Sequence, residues 1–331
     1  MVNPGPQYCQ FQAHKSDGLS SELIRHPATR EVVGIKTDKE YIRARRAVIL
    51  ATGGFSRNEE MVHNYLPAYV GSLPMCALMG IDGDGIRVAQ ALGADLVNMG
   101  LLNLLVGVQG GLITVKPGKQ VRQIYGPRIT IMKEAPCVLV TKKGRRFVDE
   151  YMHYELLGPK MREVEDQACW CIFDQNALRM SPTVLHMASA GLKDEIEQGM
   201  VKKASTLAEL AKQISMDPDT LQDTVFTFNE NAAKGIDPEF GRTLHLVPIK
   251  SGPFYAMQYK TVFVLTAGGL KINSKCRVID VFGKEIPRLY AGGETAGGST
   301  GKLYASGTAL MNCFATGRIA GQNAAQEKAW V

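Results

Sequence analysis

The stretch from Leu289 to Leu310 reads Leu-Tyr-Ala-Gly-Gly-Glu-Thr-Ala-Gly-Gly-Ser-Thr-Gly-Lys-Leu-Tyr-Ala-Ser-Gly-Thr-Ala-Leu. Its front half predicts a short strand, Arg288 to Ala291, that ends in Gly292-Gly293-Glu294. Its back half predicts a helix from about Ala309 to Glu327, opened by Ser306-Gly307-Thr308. Glycine lets the backbone turn sharply with no side chain in the way, and a helix N-terminus presents unpaired N–H groups. The stretch therefore favours a seat for a large, partly anionic ligand over two ordinary loops.

The composition is that of an ordinary globular protein. The chain has 331 residues, of which 45% are hydrophobic and 21% charged, with a net charge of +6; this length is enough for two domains. No run of Lys and Arg is dense enough to predict nucleic-acid binding, and no apolar run reaches membrane-spanning length. The seven cysteines form no Cys-x-x-Cys pair. Free thiols in a reducing, cytoplasmic compartment are therefore expected.

Two further predicted strands end in glycine turns. Ala47 to Ala51 predicts a buried strand that runs into Thr52-Gly53-Gly54, and Phe263 to Thr266 predicts a strand that runs into Gly268-Gly269. Ligands of α/β folds bind at the carboxyl ends of strands, where such turns lie. Taken alone, the Thr52-Gly53-Gly54 turn is equally well explained as a tight connection from a strand to a helix.

The segment Asp82-Gly83-Asp84-Gly85 is best explained as the start of a helix. Asp84 is predicted to be the N-cap of a short helix from Gly85 to Leu92, which Gly93 would end. A metal site is the alternative, but no third ligand follows at calcium-loop spacing. No bound metal is therefore expected.

The segment between about Gly107 and Pro253 has a different character, because the glycine turns stop there. It predicts the strands Pro136 to Thr141 and Ala168 to Phe173, and two helices opened by Thr206 and by Asp217-Pro218. We therefore expect residues 107–253 to form an α+β module inserted between residues 1–106 and 254–331.

Taken together, these motifs resemble the fumarate reductase/succinate dehydrogenase flavoprotein superfamily. The matching motifs, in order, are Ala51-Thr52-Gly53-Gly54-Phe55, Gly83-Asp84-Gly85, Gly144 to Glu150, Thr266 to Gly269, Leu289 to Glu294 and Gly317 to Gly321. Each motif alone is weak, whereas their shared order and spacing cover the chain from about Glu22. The resemblance implies an α/β fold in which a Rossmann-like FAD-binding domain (residues 1–106 and 254–331) is interrupted by an α+β capping domain (residues 107–253). It also implies hydride transfer between flavin N5 and a carbon–carbon bond next to a carbonyl group.

The glycine turns and the start of the last helix supply the FAD contacts that this resemblance implies. They are Ala51, Thr52, Gly53, Gly54, Asp84, Gly268, Gly292, Gly293, Glu294, Gly307, Thr308, Ala309 and Leu310. The helix that starts at Ala309 would point at the flavin N1–C2 carbonyl and stabilise the reduced anion.

One part of the family pattern is missing. Members begin with a strand and a Gly-x-Gly-x-x-Gly turn that holds the FAD pyrophosphate, and the sequence contains no such turn. We therefore expect an N-terminally truncated FAD-binding domain with an unpaired sheet edge. Either another polypeptide supplies the missing piece or the chain is a gene fragment. A truncated or split flavoprotein that is inactive without an N-terminal partner is thus an alternative function.

A second departure concerns the substrate. The fumarate-reducing branch of the family uses a substrate-binding His and two Arg, which by spacing fall here at Leu265, Tyr154 and Tyr304. A dicarboxylate needs cationic, bidentate partners. Fumarate and succinate are therefore poor candidates, and a carboxylate reductase is the disfavoured third alternative.

What remains suits a neutral ketone or enone as the substrate. Tyr304-Ala305-Ser306-Gly307 resembles the Tyr-x-Ser-Gly of the 3-ketosteroid Δ4-dehydrogenase branch, which also uses a Tyr after its Arg-Phe-x-x-Glu motif, here Tyr154. The predicted catalytic residues are thus Tyr304, Ser306 and Tyr154, because a phenol can bind a carbonyl oxygen and a hydroxyl pair can relay a proton. Simple packing is the alternative for both tyrosines. Since no haem or iron–sulfur ligands are present, we expect an external electron donor or acceptor.

Overall fold

The computed structural model describes residues 22–70, 72–74, 81–108, 135–180, 192–301, 305 and 307–330. Within these, only the backbone is described at residues 73–74, 104–108, 154–155, 194 and 263–264. The chain divides into two compact units. Unit 1 consists of Met1–Val70, Leu78–Leu102 and Leu265–Val331, and unit 2 consists of Gly71–Ala77 and Asn103–Val264. The predicted assignment of residues 107–253 to a capping domain stays a prediction.

The described chain contains both strands and α-helices, with runs of consecutive strands near its start and before the last helix. The strands are β1 (Glu22–Arg25), β2 (Val32–Lys36), β3 (Tyr41–Arg43), β4 (Val48–Leu50), β5 (Leu73–Pro74), β6 (Leu96–Val97), β7 (Leu102–Val108), β8 (Val138–Val140), β9 (Ala168–Asp174), β10 (Val201–Ala204), β11 (Phe254–Thr266), β12 (Gly269–Leu270), β13 (Arg277–Ile279) and β14 (Glu285–Ala291). The α-helices are α1 (Glu59–Tyr65), α2 (Asp84–Gln90), α3 (Tyr154–Arg162), α4 (Gln175–Met180), α5 (Lys193–Glu197), α6 (Leu207–Gln213), α7 (Pro218–Ala233) and α8 (Thr308–Gln326).

The described residues of unit 1 form three small sheets. Strands β1, β2 and β3 form an antiparallel meander, and β6 pairs with β12. The third sheet has the order β13-β14-β4, and its central strand β14 runs parallel to β4 with Leu289 opposite Val48. Because these two strands are parallel, the turns that follow them leave the sheet at the same edge.

Unit 2 is built on one larger sheet. Its strands follow the path β10-β11-β9-β8, and β5 and β7 also pair with β11. Side chains alternate between the two faces of a strand. Cys137, Leu139 and Cys171 accordingly belong to one buried cluster, whereas Val138 and Ile172 belong to another that includes helices α6 and α7. The sheet is thus covered by apolar side chains on both faces.

The two predicted helix starts in unit 2 are confirmed. The Thr206 hydroxyl accepts the Glu209 N–H at 3.1 Å, and the Glu209 side chain accepts the Thr206 N–H, which completes the predicted capping box of α6. The Asp217 carboxylate accepts the Thr220 N–H at 2.8 Å, and Pro218 is the first residue of α7. Both helices therefore begin where the sequence places them.

Three sequence expectations need correction. Asp84 is the first helical residue of α2 and not its N-cap, because Gly83 takes the cap position with a φ of +77° that glycine adopts without strain. Strand β4 is not fully buried, since Ile49 is 41% exposed. The sequence Leu270-Lys271-Ile272 followed by Arg277-Val278-Ile279-Asp280 also predicts a small hairpin. In the structure these segments share one isolated bridge, between Ile272 and Val278, because β13 pairs instead with the longer strand β14.

Among the residues that the structure describes, no helix has the length and hydropathy needed to cross a lipid bilayer.

Candidate functional site

The first two glycine turns lie side by side in unit 1. The Gly292 N–H donates to the Leu50 carbonyl at 3.0 Å, which continues the β4–β14 pairing into both turns. The Thr295 hydroxyl donates to the Gly53 carbonyl at 3.1 Å and lies 3.4 Å from the Thr52 hydroxyl oxygen. The sequence therefore brings together two of its predicted cofactor segments, residues 51–54 and 292–294.

Glu294 ties these turns to the third one. Its carboxylate accepts the Thr266 N–H at 2.8 Å and the Thr266 hydroxyl at 3.1 Å, and it also accepts the Gly54 N–H. Burial raises the pKa of Glu294, and these three donors act in the opposite direction. A Cβ on Gly54 would lie 2.1 Å from the Thr266 hydroxyl oxygen. Glycine is thus required at position 54 by the fit to Glu294 and Thr266 themselves.

The turn at Gly268 packs against two neighbouring backbone segments. A Cβ on Gly268 would lie 2.4 Å from the Met99 Cα, and a Cβ on Gly269 would lie 2.5 Å from the Thr295 carbonyl oxygen. The Ala267 N–H donates to the Leu101 carbonyl at 3.0 Å. These glycines are needed for close approach of backbone to backbone within unit 1.

Helix α2 begins next to the turn at residues 52–54. The Gly83 N–H donates to the Gly54 carbonyl at 3.0 Å, and a Cβ on Gly85 would lie 2.2 Å from the Thr52 hydroxyl oxygen. Asp84, a predicted FAD contact, therefore opens its helix directly beside Thr52 and Gly54.

Helix α8 holds the Gly292-Gly293 turn with the middle of the helix. The Gly293 N–H donates to the Thr316 hydroxyl at 2.8 Å, and the Asn312 amide donates to the Gly293 carbonyl at 3.0 Å. The N-cap Gly307 has a φ of +89° and no side chain with which to satisfy the first N–H groups of the helix. Next to that end, Leu310 is 62% exposed. The start of α8 thus presents both backbone donors and apolar surface.

The predicted catalytic residues are less well placed by the structure. Tyr304 and Ser306 lie outside the described residues. Tyr154 is the first residue of α3, and its backbone alone is described. Leu265, at the position where the fumarate-reducing branch has a His, is buried in unit 1. The roles of Tyr304, Ser306 and Tyr154, like the FAD contacts, stay predictions.

The structure reveals a buried charge cluster in unit 2 that the sequence analysis missed. Arg146 donates to both Glu150 and Asp237 at 2.8 Å, and Arg242 donates to Glu150 at 3.0 Å. All four side chains are at most 2% exposed. Burial disfavours the charged form of Arg146, but the carboxylates of Glu150 and Asp237 outweigh burial and raise its pKa. Burial also disfavours the charged form of Asp237, but Arg146 outweighs burial and lowers the pKa of that acid. The spacing of Arg146 and Glu150 in the Arg-Phe-x-x-Glu motif was the available signal; nothing local pointed to Asp237 or Arg242.

Three cysteines of unit 2 belong to the core, whereas Cys313 on α8 is free and exposed. In the described part of the chain, no group of three or more His, Cys, Asp or Glu side chains could hold a metal ion. Cys137, Cys169 and Cys171 are free and buried. Burial raises the pKa of the Cys169 and Cys171 thiols, which disfavours the nucleophilic thiolate. These cysteines are therefore core residues.

Comparison with known proteins identifies the family to which the chain is similar. Residues 17–310 match a family described as an FAD binding domain. The chain is 31% identical over 313 residues to a urocanate reductase of Eggerthella lenta, covering 92% of this chain and 49% of that protein. Its fold is similar to the open conformation of a flavocytochrome c3 fumarate reductase, with a TM-score of 0.76, 27% identity, and coverage of 92% of this chain and 52% of the other. It is also similar to 3-ketosteroid-Δ4-(5α)-dehydrogenase from Rhodococcus jostii RHA1, with a TM-score of 0.65, 28% identity, and coverage of 93% and 59%. The chain thus spans about half the length of the relatives that it matches.

Proposed function

This chain belongs to the FAD-binding-domain family, and from that premise we propose that it is an oxidoreductase that acts on a carbon–carbon bond next to a ketone in a neutral substrate. Its cofactor is FAD, which when bound supplies the hydride acceptor or donor at N5. An external electron donor or acceptor completes the proposal.

The residues of unit 1 fit one part of this cofactor. The Thr308 N–H donates to the Ala305 carbonyl at 3.1 Å, and the following N–H groups at the start of α8 have no side-chain cap. These N–H groups suit an electron-rich carbonyl of the flavin ring. The exposed side chains of Leu310 and Met311, at 62% and 64%, suit its flat apolar body. Gly293 lies beside this helix, where Thr316 and Asn312 bind its backbone N–H and carbonyl groups. For the pyrophosphate, by contrast, the sequence contains no Gly-x-Gly-x-x-Gly turn.

The preference for a neutral substrate is supported by one observation above all. Leu265 is buried where the carboxylate-binding branch has a His. In unit 2, Arg146 and Arg242 cannot replace the missing cation, because both guanidinium groups are buried and already paired with carboxylates. Binding a dicarboxylate there would cost desolvation free energy, and no charge-assisted hydrogen bonds would offset that cost.

The catalytic roles rest on the sequence motifs. Tyr304 would donate a hydrogen bond to the substrate carbonyl oxygen and stabilise the negative charge that develops there. Ser306 would relay the proton that accompanies hydride transfer, and Tyr154 would orient the carbonyl group.

The experiment begins with the visible absorption spectrum of the purified chain before and after addition of FAD and desalting. A retained flavin spectrum is expected, followed by turnover of ketosteroids or other enones with an artificial electron mediator. Fumarate and urocanate should be turned over far more slowly. The double variant Tyr304→Phe, Ser306→Ala should lose turnover and keep FAD, whereas Tyr41→Phe, on an exposed strand, should keep both. If fumarate were turned over faster than every neutral enone, the proposed substrate class would be wrong.

A second candidate is a flavoprotein assembled from two parts, and the surface of unit 1 favours it. In the described residues β4 pairs only with β14, so its other edge is unpaired, and Ile49 is 41% exposed there. On α8, Met311 and Phe314 are 64% and 71% exposed, and the buried residues are limited to Ala320 and Ala324. A free strand edge beside an apolar helix face is a template for another strand. We infer that a strand-bearing polypeptide segment with a phosphate-binding glycine turn covers both, from the same polypeptide or from a second one.

This second candidate is tested by supplying such a segment. A polypeptide with a β-strand followed by a Gly-x-Gly-x-x-Gly turn would be co-expressed with this chain. Retention of FAD only in the co-expressed sample, together with slower hydrogen exchange at residues 48–50 and 310–314, is the expected result. Phe314→Asp should abolish that gain, and Phe226→Asp, at a 65% exposed site on α7, should not. Full FAD retention by the chain alone, with no effect of the added segment, would reject the two-part protein.

A further inference from the structure

Two side chains of helix α8, Asn312 and Thr316, hold one residue of the Gly292-Gly293 turn from both sides. The Gly293 N–H donates to the Thr316 hydroxyl at 2.8 Å, and the Asn312 amide donates to the Gly293 carbonyl at 3.0 Å. The Thr316 hydroxyl itself donates to the Asn312 carbonyl at 2.6 Å. The three hydrogen bonds form one network, in which each bond polarises and supports the next.

The spacing of the two residues explains why they act together. Residues four apart lie on the same face of an α-helix, so Asn312 and Thr316 approach the turn from one side. The packing is close, because a Cβ on Gly292 would lie 3.1 Å from the Thr316 hydroxyl oxygen and a Cβ on Gly293 would lie 3.4 Å from the Cys313 Sγ. Glycine at both positions thus lets α8 come near enough to form these bonds.

The same bonds occupy backbone groups that the turn would otherwise offer to a ligand. The Gly293 N–H is bonded to Thr316, and the Gly292 N–H donates to the Leu50 carbonyl at 3.0 Å. Both N–H groups are therefore committed within unit 1. The network's role is then to fix where the turn lies relative to α8.

We propose that Asn312 and Thr316 are positioning residues for FAD, which make the turn 292–294 and the start of α8 one rigid surface for the cofactor. This inference rests on the proposed function, in which FAD contacts both segments. Without the two side chains, the turn and the helix would lose the hydrogen bonds that set their spacing. A surface that is ordered before the ligand arrives binds it more tightly than one that must be ordered on binding.

The test removes each bond with a side chain of similar size. Thr316→Val deletes the hydroxyl, Thr316→Ser keeps it, and Asn312→Leu deletes the amide. The matched control is Asn323→Leu, since the Asn323 amide donates within α8 itself, to the Ile319 carbonyl at 2.9 Å. FAD affinity is measured by equilibrium titration and the bound flavin by its visible absorption bands. Hydrogen exchange at residues 292–295 of the FAD-free protein reports on the turn.

Thr316→Val and Asn312→Leu should each bind FAD roughly tenfold more weakly than the wild type. Their bound flavin should show shifted absorption bands, and residues 292–295 should exchange faster. Thr316→Ser should keep the affinity within about twofold of the wild type. Asn323→Leu should bind FAD like the wild type. If Thr316→Val does not fold, Asn312→Leu carries the test, because it leaves the bond between Thr316 and the Gly293 N–H in place.

Unchanged FAD affinity and flavin spectrum in Thr316→Val and Asn312→Leu would overturn the inference and leave the proposed function intact, whatever the hydrogen exchange shows. An equal loss of affinity in Asn323→Leu would also overturn it, because general loosening of α8 would then explain the effect. A wild-type chain that binds no FAD would refute the cofactor assignment for the isolated chain, and this inference with it.

Discussion

Helices α7 and α8 are the two longest described helices, and they differ in how fully they are packed. Helix α7 has an Asp217 cap, a first-turn proline, and buried side chains along its length that include Leu221, Val225 and Phe228. Helix α8 has a glycine cap without a side chain, and its buried residues are Ala320 and Ala324. The difference indicates that α7 is part of a finished core, whereas α8 keeps apolar surface and backbone donors available for a ligand or partner.

Electrostatics separate the same two regions. Phe228 of α7 packs under the charge cluster of unit 2, with the Arg146 and Arg242 guanidinium carbons 5.1 and 5.5 Å from its ring centre. In unit 1 the glycine turns are joined instead by one carboxylate, that of Glu294, which accepts from Thr266 and from the Gly54 N–H. The comparison therefore predicts a rigid unit 2 and a unit 1 whose stability depends on what binds to it.

The largest expected effect comes from breaking the charge cluster. Glu150→Ala would leave Arg146 and Arg242 buried with too little negative charge, and would also remove the acceptor of the Leu139 N–H. We expect a loss of about 3–5 kcal/mol in the free energy of unfolding, measured by chemical denaturation. The control is Glu163→Ala, which breaks the exposed pair with Lys160 and should cost about 0–1 kcal/mol. Equal losses in the two variants would contradict the assignment of the cluster to the core.

The two helices can be compared directly by truncating one phenylalanine on each. Phe228 is 2% exposed and Phe314 is 71% exposed. Phe228→Ala should cost about 3–5 kcal/mol of unfolding free energy, whereas Phe314→Ala should change it by less than about 0.5 kcal/mol. Repeating the denaturation with FAD or the partner segment bound sharpens the comparison, because Phe314→Ala should become costly only when its surface is covered. A large cost for Phe314→Ala in the isolated chain would show that the face of α8 is already packed.

Local signals in the sequence predicted much of the fold. The capping residues Thr206 and Asp217 each place a helix start, because a cap bonds N–H groups two or three residues away. A continuous apolar run likewise predicted β9, and glycine turns predicted the segments that meet around Glu294. Each of these signals is contained in a few neighbouring residues.

Long-range partners could not be predicted in this way. Asp237 and Arg242 join Arg146 and Glu150 from about ninety residues further along the chain. Arg288 has a φ of +61° and donates to Glu31 at 2.9 Å, a contact that no local pattern encodes. Tertiary packing decides these positions, and the sequence gives no local trace of it.

A smaller effect is expected at the cap of α7. Asp217→Ala removes the acceptor of the Thr220 N–H and the partner of the Thr220 hydroxyl, at 2.8 and 2.6 Å. The loss in unfolding free energy should be about 1 kcal/mol. Asp223→Ala, an exposed substitution inside the same helix, is the control and should stay within about 0.5 kcal/mol. Helix α8 has no such side-chain cap. If Asp217→Ala did not change the free energy of unfolding, capping would no longer distinguish the stability of α7 from that of α8.

The smallest effect is a pH dependence of unit 1 that has opposite signs at two carboxyl groups. Burial raises the pKa of Glu294, so the folded state holds that proton more tightly than the unfolded chain. Its contribution to stability is complete below the ordinary Glu pKa and is lost as the pH rises through the raised value. The hydrogen bond from Arg288 lowers the pKa of Glu31, so that contribution is present above the ordinary pKa and is lost as the pH falls through the lowered value.

The two signs can be separated by following thermal unfolding from about pH 3 to pH 8 in the variants Glu294→Gln and Glu31→Gln. Glu294→Gln should flatten only the decline above the ordinary Glu pKa, and Glu31→Gln only the decline on the acid side. A Glu294→Gln variant with the same alkaline decline as the wild type would mean that its carboxyl group is as well solvated folded as unfolded. Glu294 would then be available to a ligand instead of being bonded to Thr266 and Gly54. The hydroxyls of Thr295 and Thr316, which also form hydrogen bonds with the glycine turns, would then be the groups that hold these turns together.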